Sequence, residues 1–146
     1  MGEQQGKRII VGIDASQAAR SALQWALDLA RAGDCIEVVH AWNLNAIAGL
    51  EAPYLNSATF EVDATRLLHE VVDAVLGLGP RDGVTFVYSA VHGHPAETLI
   101  EKSAGADLLV VGRRGHGGFK EMLVGSVSRD VVHHAGCPVV VVPADS

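Results

Sequence analysis

Apolar residues fall into two alternating rhythms along the chain. Short unbroken runs occur at 8–13 (RIIVGI), 35–42 (CIEVVHAW), 85–91 (TFVYSAV), 108–111 (LLVV) and 138–142 (PVVVV). Their β-branched content and their length predict five strands. Between them the apolar positions recur at helical spacing. Ala19, Ala22, Leu23, Ala26, Leu27 and Ala30 form one stripe, with Ser16 placed to cap it and Gly33 to stop it. Val62, Leu67, Leu68, Val71, Val72 and Val75 form a second, in a helix from about Ala58 to Leu76 that ends near Gly77. Pro95 suits the first turn of a third helix that buries Leu99 and Ile100, and 126–135 reads as a fourth. The segment through Asn43, Asn45, Gly49 and Pro53 has no clear period and reads as a loop.

Strands that are apolar on successive residues are covered on both faces, and helices between them act as crossovers, which requires parallel strands. The expected architecture is a three-layer α/β/α domain around a five-stranded, doubly wound parallel sheet. At 146 residues the chain makes one domain, with 1–7 expected to be flexible. No internal repeat or low-complexity segment interrupts it. The apolar runs fall far short of a membrane span, and the opening MGEQQGKR has no apolar signal core, so a soluble cytoplasmic protein without a membrane partner is expected. Cys35 and Cys137 stand far apart without a CxxC partner and read as small hydrophobes.

A net charge of −6 disfavours nucleic acid as a partner. The charge is uneven, however. From Arg113 to Arg129 there are Arg113, Arg114, Lys120 and Arg129 against Glu121 alone, a local +3. This basic stretch coincides with the glycine-rich segment GRRGHGGFKEMLVGSVS, residues 112–128.

Doubly wound sheets bind ligands outside the carboxyl ends of their strands, where the winding reverses. Three segments belong there: Gly12-Ile13-Asp14, His40-Ala41-Trp42 and the glycine-rich loop. Glycine lets backbone N–H groups approach a phosphate, and Gly125-Ser126-Val127-Ser128 opens a helix whose N-terminal N–H groups favour an anion. Ser126 and Ser128 can add hydroxyl donors. Together these features make a mononucleotide site split into two half-cradles. Better-known phosphate loops do not fit, since neither G-x-x-x-x-G-K-[ST] nor a G-x-G-x-x-G after the first strand occurs. A response-regulator receiver would need a phosphoacceptor Asp where the third strand ends in Val91-His92-Gly93-His94.

The spacing Gly112-x2-Gly115-x9-Gly125-Ser126 resembles the nucleotide-binding signature of the universal stress protein family. Ile10-Val11-Gly12-Ile13-Asp14-x-Ser16, Gly93-x-Pro95 and Cys137-Pro138-Val139-Val140-Val141-Val142 are similar to its other recurrent pieces, so the resemblance spans nearly the whole chain. The complete glycine pattern matches the ATP-binding branch. The resemblance implies that Gly12, Ile13 and Asp14 line an adenosine pocket, with Asp14 accepting from the ribose hydroxyls and the Ala41 backbone meeting adenine. It implies that Gly112, Arg113, Arg114, Gly115, Gly117 and Gly118 hold phosphates from one side, and Gly125, Ser126, Val127 and Ser128 from the other. ATP, with Mg²⁺ offsetting phosphate charge, is the expected cofactor. The basic pair Arg113-Arg114 leaves another adenine nucleotide such as cyclic AMP open.

Plainer roles stand beside these. Asp14 alone reads equally as a helix cap, Gly112 or Gly115 alone as a turn, and Trp25 and Trp42 as packing residues. His92, His94, His133 and His134 do not converge on a metal by spacing. Asp28, Arg31, Glu61, Arg66 and Glu70 read as solvated helix faces. A nucleotide-binding stress or signalling module is favoured. A slow ATPase or phosphotransferase would need a base near the γ-phosphate, where the loop offers only His116. A scaffold with a vestigial pocket is opposed by the intact glycines. The valine-rich last strand falls at a sheet edge, where an uncovered run would invite aggregation, and this together with the resemblance implies a homodimer through Pro138–Val142.

Overall fold

The computed structural model describes residues 6–14, 16–42, 57–77, 82–113 and 126–143, with the side chains of 57–60 and 126 left aside. Strands β1 (Arg8–Gly12), β2 (Cys35–Trp42), β3 (Thr85–His92), β4 (Leu108–Gly112) and β5 (Val139–Val142) alternate with helices α1 (Gln17–Leu29), α2 (Ser57–Leu76), α3 (Pro95–Ser103) and α4 (Ser126–His134). The sheet is parallel throughout, in the order β3-β2-β1-β4-β5. The chain winds outward from β1 first to one side and then to the other, which puts the switch point between β1 and β4.

The two faces of each strand build two cores. Ile9, Val11, Ile36, Val38 and Val110 meet Ala22, Leu23, Ala26 and Leu27 of α1 and Leu68, Val71 and Val72 of α2. Ile10, Val39, Leu109 and Val111 meet Leu99 of α3 and Val131 of α4. The expected boundaries lie within a residue or two of those found. Ser16 caps α1 as its spacing suggests, its hydroxyl accepting from Ala19 N–H at 3.1 Å. The helix stops before Gly33, since Ala30 is already extended at ψ 145°, and Gly33 supplies the positive φ of 96° that turns the chain toward β2. Asp28, Arg31, Glu61, Arg66 and Glu70 are exposed as expected.

One apolar expectation fails. Val62 is 57% exposed, because the stripe of α2 runs through Ala64, Leu68, Val71 and Val72, and Val62 falls on the opposite side of the helix. Trp25 of α1 is 38% exposed. Both cysteines are half-buried free thiols, and burial pushes each thiol up from its ordinary range.

Two buried charges, Asp34 and Glu37, were not read in the sequence. Glu37 of β2 is only 6% exposed beneath α3. Its Oε1 accepts from the Arg8 guanidinium at 2.9 Å, and its Oε2 from the Lys102 ammonium at 2.8 Å and the Ser89 hydroxyl at 2.7 Å. Strands β1, β2 and β3 and helix α3 are thus joined at one carboxylate. Burial alone would raise its pKa, but the hydrogen bonds from Lys102, Ser89 and Arg8 hold it below the usual carboxylate range. A depressed native pKa means the unfolded chain takes up this proton first as the solution is acidified, so the stabilisation holds above the ordinary Glu range and is lost on acidification. Urea midpoints measured from neutral pH to about pH 3 should therefore fall more steeply in the wild type than in Glu37→Gln. Equal slopes would show that the carboxylate carries no such linkage.

Candidate functional site

The switch point is shaped by how early β1 leaves the sheet. Its last pairing is Gly12 with Val39, whereas β2 continues beside β3 to the pair Trp42 and His92. On the other side β4 and β5 continue to Gly112 and Val142. The carboxyl ends of β2 and β4 therefore flank the start of the β1–α1 turn.

The described residues of that turn are each tied in place. Ile13 buries its side chain in the α1/α2 core and donates its N–H to Val39 O at 2.8 Å. Its carbonyl, 2.8 Å from His40 Nδ1, accepts from the imidazole N–H. Asp14 Oδ1 accepts from Ser16 N–H at 2.8 Å, an Asx turn that feeds directly into the Ser16 cap. The cap of α1 is Ser16, and Asp14 shapes the turn that precedes it. His94 occupies the N-cap position of α3 without a side-chain cap bond, and the exposed His92 ring stacks on Trp42 with centroids 4.4 Å apart. Trp42 is thereby a packing residue, as expected.

The two glycines that end the central strands are bare for different neighbours. A Cβ on Gly12 would lie 2.9 Å from Leu99 Cδ1, the end of a rotatable side chain. A Cβ on Gly112 would lie 2.7 to 2.9 Å from Ala18 Cβ, carbonyl carbon and oxygen, which belong to the first turn of α1. Neither needs a positive φ. Gly112 is the point where α1 rests directly on β4, and a side chain there would meet that helix.

Beyond Gly112 the Arg113 N–H continues the ladder to Val142 O at 2.7 Å. Ser128, 3% exposed on α4, donates its hydroxyl to Gly112 O at 2.6 Å, with Arg113 O 3.3 Å away. It ties the start of α4 to the end of β4, so in this arrangement its proton serves the protein backbone. Val127, half-buried, lines an open cleft of about 340 Å³ with His94, Pro95, Ala96, Glu97 and Asp130. The carboxylates Glu97 and Asp130 make that cleft a poor host for a polyphosphate. Arg114, Gly115, Gly117, Gly118 and Gly125 lie outside the described residues, as does His116, and Ser126 is described only as the first residue of α4. Gly12, Ile13, Asp14, Ala41, Gly112, Arg113, Val127 and Ser128 do gather at the carboxyl end of the sheet. Sequence reasoning missed the roles of His40 and Ser128. A histidine two residues from a strand end and a hydroxyl in the first turn of a helix were the available signals.

Comparison with known proteins bears on this arrangement. The model of the universal stress protein family matches residues 6–143. The chain belongs to this family. It is 38% identical over 134 residues to the universal stress protein Rv2005c of Mycobacterium tuberculosis, covering 91% of the chain and 44% of that protein. It thus spans less than half the length of such curated relatives. The fold is similar to that of UspA from Lactobacillus plantarum, with a TM-score of 0.69 at 20% identity over 96% of this chain and 99% of that one. It is also similar to a universal stress protein in complex with cyclic AMP, with a TM-score of 0.65 at 24% identity over 97% and 100% of the two chains.

The packing at the two strand-end glycines separates their substitutions. Gly112→Ala forces a methyl group against helix backbone and should cost about 1–3 kcal/mol of stability. Gly12→Ala first meets side-chain methyls, Leu99 Cδ1 at 2.9 Å and Leu99 Cδ2 and Val111 Cγ1 at 3.4 Å, and should cost less. Urea denaturation of both variants checks the order, and equal costs would contradict the contact assigned to α1.

Proposed function

We propose that the domain binds one adenine nucleotide per chain at the switch point and acts as a signalling module through its occupancy. The single feature that carries this reading is the split pattern Gly112-x2-Gly115-x9-Gly125-Ser126 at the carboxyl end of a doubly wound sheet. The nucleoside lies over the β1–α1 turn, with Asp14 accepting from ribose and the Ala41 backbone meeting the base. The phosphates lie between the loop after β4, with Arg113 and Arg114, and the N-terminus of α4. Family membership and a similar fold in complex with cyclic AMP support the choice of an adenine nucleotide. ATP fits the local +3 charge of 113–129 best, and Mg²⁺ would offset its remaining charge.

Calorimetric titration of folded, nucleotide-free protein with ATP, ADP and cyclic AMP is expected to show one site per chain. Gly115→Ala and Gly125→Ala should each weaken ATP at least tenfold, roughly 1.4 kcal/mol, while the apo melting temperature stays within a few degrees of wild type. Early melting with normal ATP binding would mean that the glycines serve the fold alone. Absence of heat with all three nucleotides would overturn the reading.

The same reading includes a homodimer through β5, which lies at a sheet edge. Leu109 N–H bonds to Pro138 O and Arg113 N–H to Val142 O, so alternation turns the N–H and C=O of Val139 and Val141 outward from the sheet. A two-fold copy can pair there. Light scattering should return about twice the 15.3 kDa chain mass. Val141→Pro, which removes only an outward donor, should return a monomer. A monomeric wild type at micromolar concentration would contradict the dimer.

A further inference from the structure

The parallel ladder between β1 and β2 does not end by simple divergence. Cys35 N–H bonds to Lys7 O and Ile13 N–H to Val39 O, so the odd-numbered residues of β2 turn their peptide groups toward β1. The even-numbered residues turn theirs toward β3, as Asp34 O accepting from Thr85 N–H and Trp42 O accepting from Gly93 N–H require. By this alternation Ala41 faces the β1 side. In a regular parallel ladder the bond following Ile13 N–H to Val39 O would run from Ala41 N–H to Ile13 O. Ile13 O instead receives the Nδ1–H of His40 at 2.8 Å, and the register of the pair closes at Gly12 and Val39.

We infer that His40 is a positioning residue for nucleoside binding: by capping Ile13 O with its imidazole, it ends the β1–β2 ladder one bond early and leaves the Ala41 N–H facing the crevice for the ligand's base. The inference rests on the nucleotide reading above. The acceptor chemistry it selects is a ring nitrogen beside an exocyclic amine, because the N–H and C=O of Ala41 lie on the same side of the strand and offer one donor and one acceptor. An adenine edge, with N1 as acceptor and N6 as donor, meets both. His40 does not touch the base in this arrangement. It holds the carbonyl that would otherwise consume the donor, and it fixes the turn carrying Asp14.

A carboxamide one methylene from the backbone can place an N–H where Nδ1–H stands, whereas a leucine cannot. His40→Asn should therefore keep adenosine affinity within about threefold of wild type, and His40→Leu should weaken adenosine and ATP by the same factor, at least tenfold. Inorganic tripolyphosphate, which reaches only the phosphate half, should bind both variants as it binds wild type. In the wild-type full chain, the amide resonance of Ala41 should move strongly on titration with adenosine, and this needs no variant to fold. The inference is overturned if His40→Leu binds adenosine as wild type does, if it loses tripolyphosphate to the same degree, or if the Ala41 amide stays fixed while adenosine saturates. Failure of the wild type to bind either adenosine or ATP would overturn the nucleotide reading itself and this inference with it, an outcome distinct from the other three.

Discussion

Helix α1 rests directly on the end of β4, and the rest of the site depends on that contact. Its first turn comes so close that a single Cβ on Gly112 would overlap the backbone of Ala18. With α1 seated there, Ser16 caps the helix, and the β1 register closes at Gly12 while β2 and β4 continue beside their outer neighbours. The step between strands is the crevice of a doubly wound sheet. Ser128 then brings α4 onto the same carbonyl that ends β4. Two helix starts and the ends of the central strands are thus placed by close backbone contacts and a few buried hydrogen bonds.

The charged groups divide along the strands in the same way. At the amino ends, Glu37 gathers Arg8, Ser89 and Lys102, and Asp34 accepts from the backbone of Lys7 and Arg31 at 2.8 and 2.9 Å. Burial works against the Asp34 charge, yet those bonds and the Lys7 ammonium hold its carboxyl below the usual range. These anions are satisfied within the fold. At the carboxyl ends the described polar groups include backbone, the side chains of Ser16, His40 and Ser128, and the carboxylates of Asp14, Glu97 and Asp130. The buried anions on the amino side thus tie strands and helices together.

Much of this was legible in the sequence because it depends on local rules. Runs such as Val139–Val142 have no polar face, so a parallel sheet covered on both sides followed from them directly. The Ser16 cap and the Pro95 helix start are fixed by chemistry at single positions. What stayed hidden depends on register between distant segments. The contact of Ala18 with Gly112 and the meeting of Arg8, Ser89 and Lys102 at Glu37 join residues far apart in the chain. The Val62 error arose from counting an apolar residue without checking its angle on the helix. His40 was read as a neighbour of Ala41, whereas its ring acts across the ladder on Ile13.

Occupancy of the crevice by an adenine nucleotide is tested most directly by identifying what the protein retains. The purified chain is incubated with an equimolar mixture of ATP, ADP, cyclic AMP and GTP, freed of unbound ligand by rapid gel filtration, and denatured, and the released small molecules are quantified by mass spectrometry. Release of an adenine nucleotide at about one per chain, with little GTP, is the predicted result. Retention of no nucleotide, or of GTP in equal amount, would contradict the assignment of the switch point to adenine.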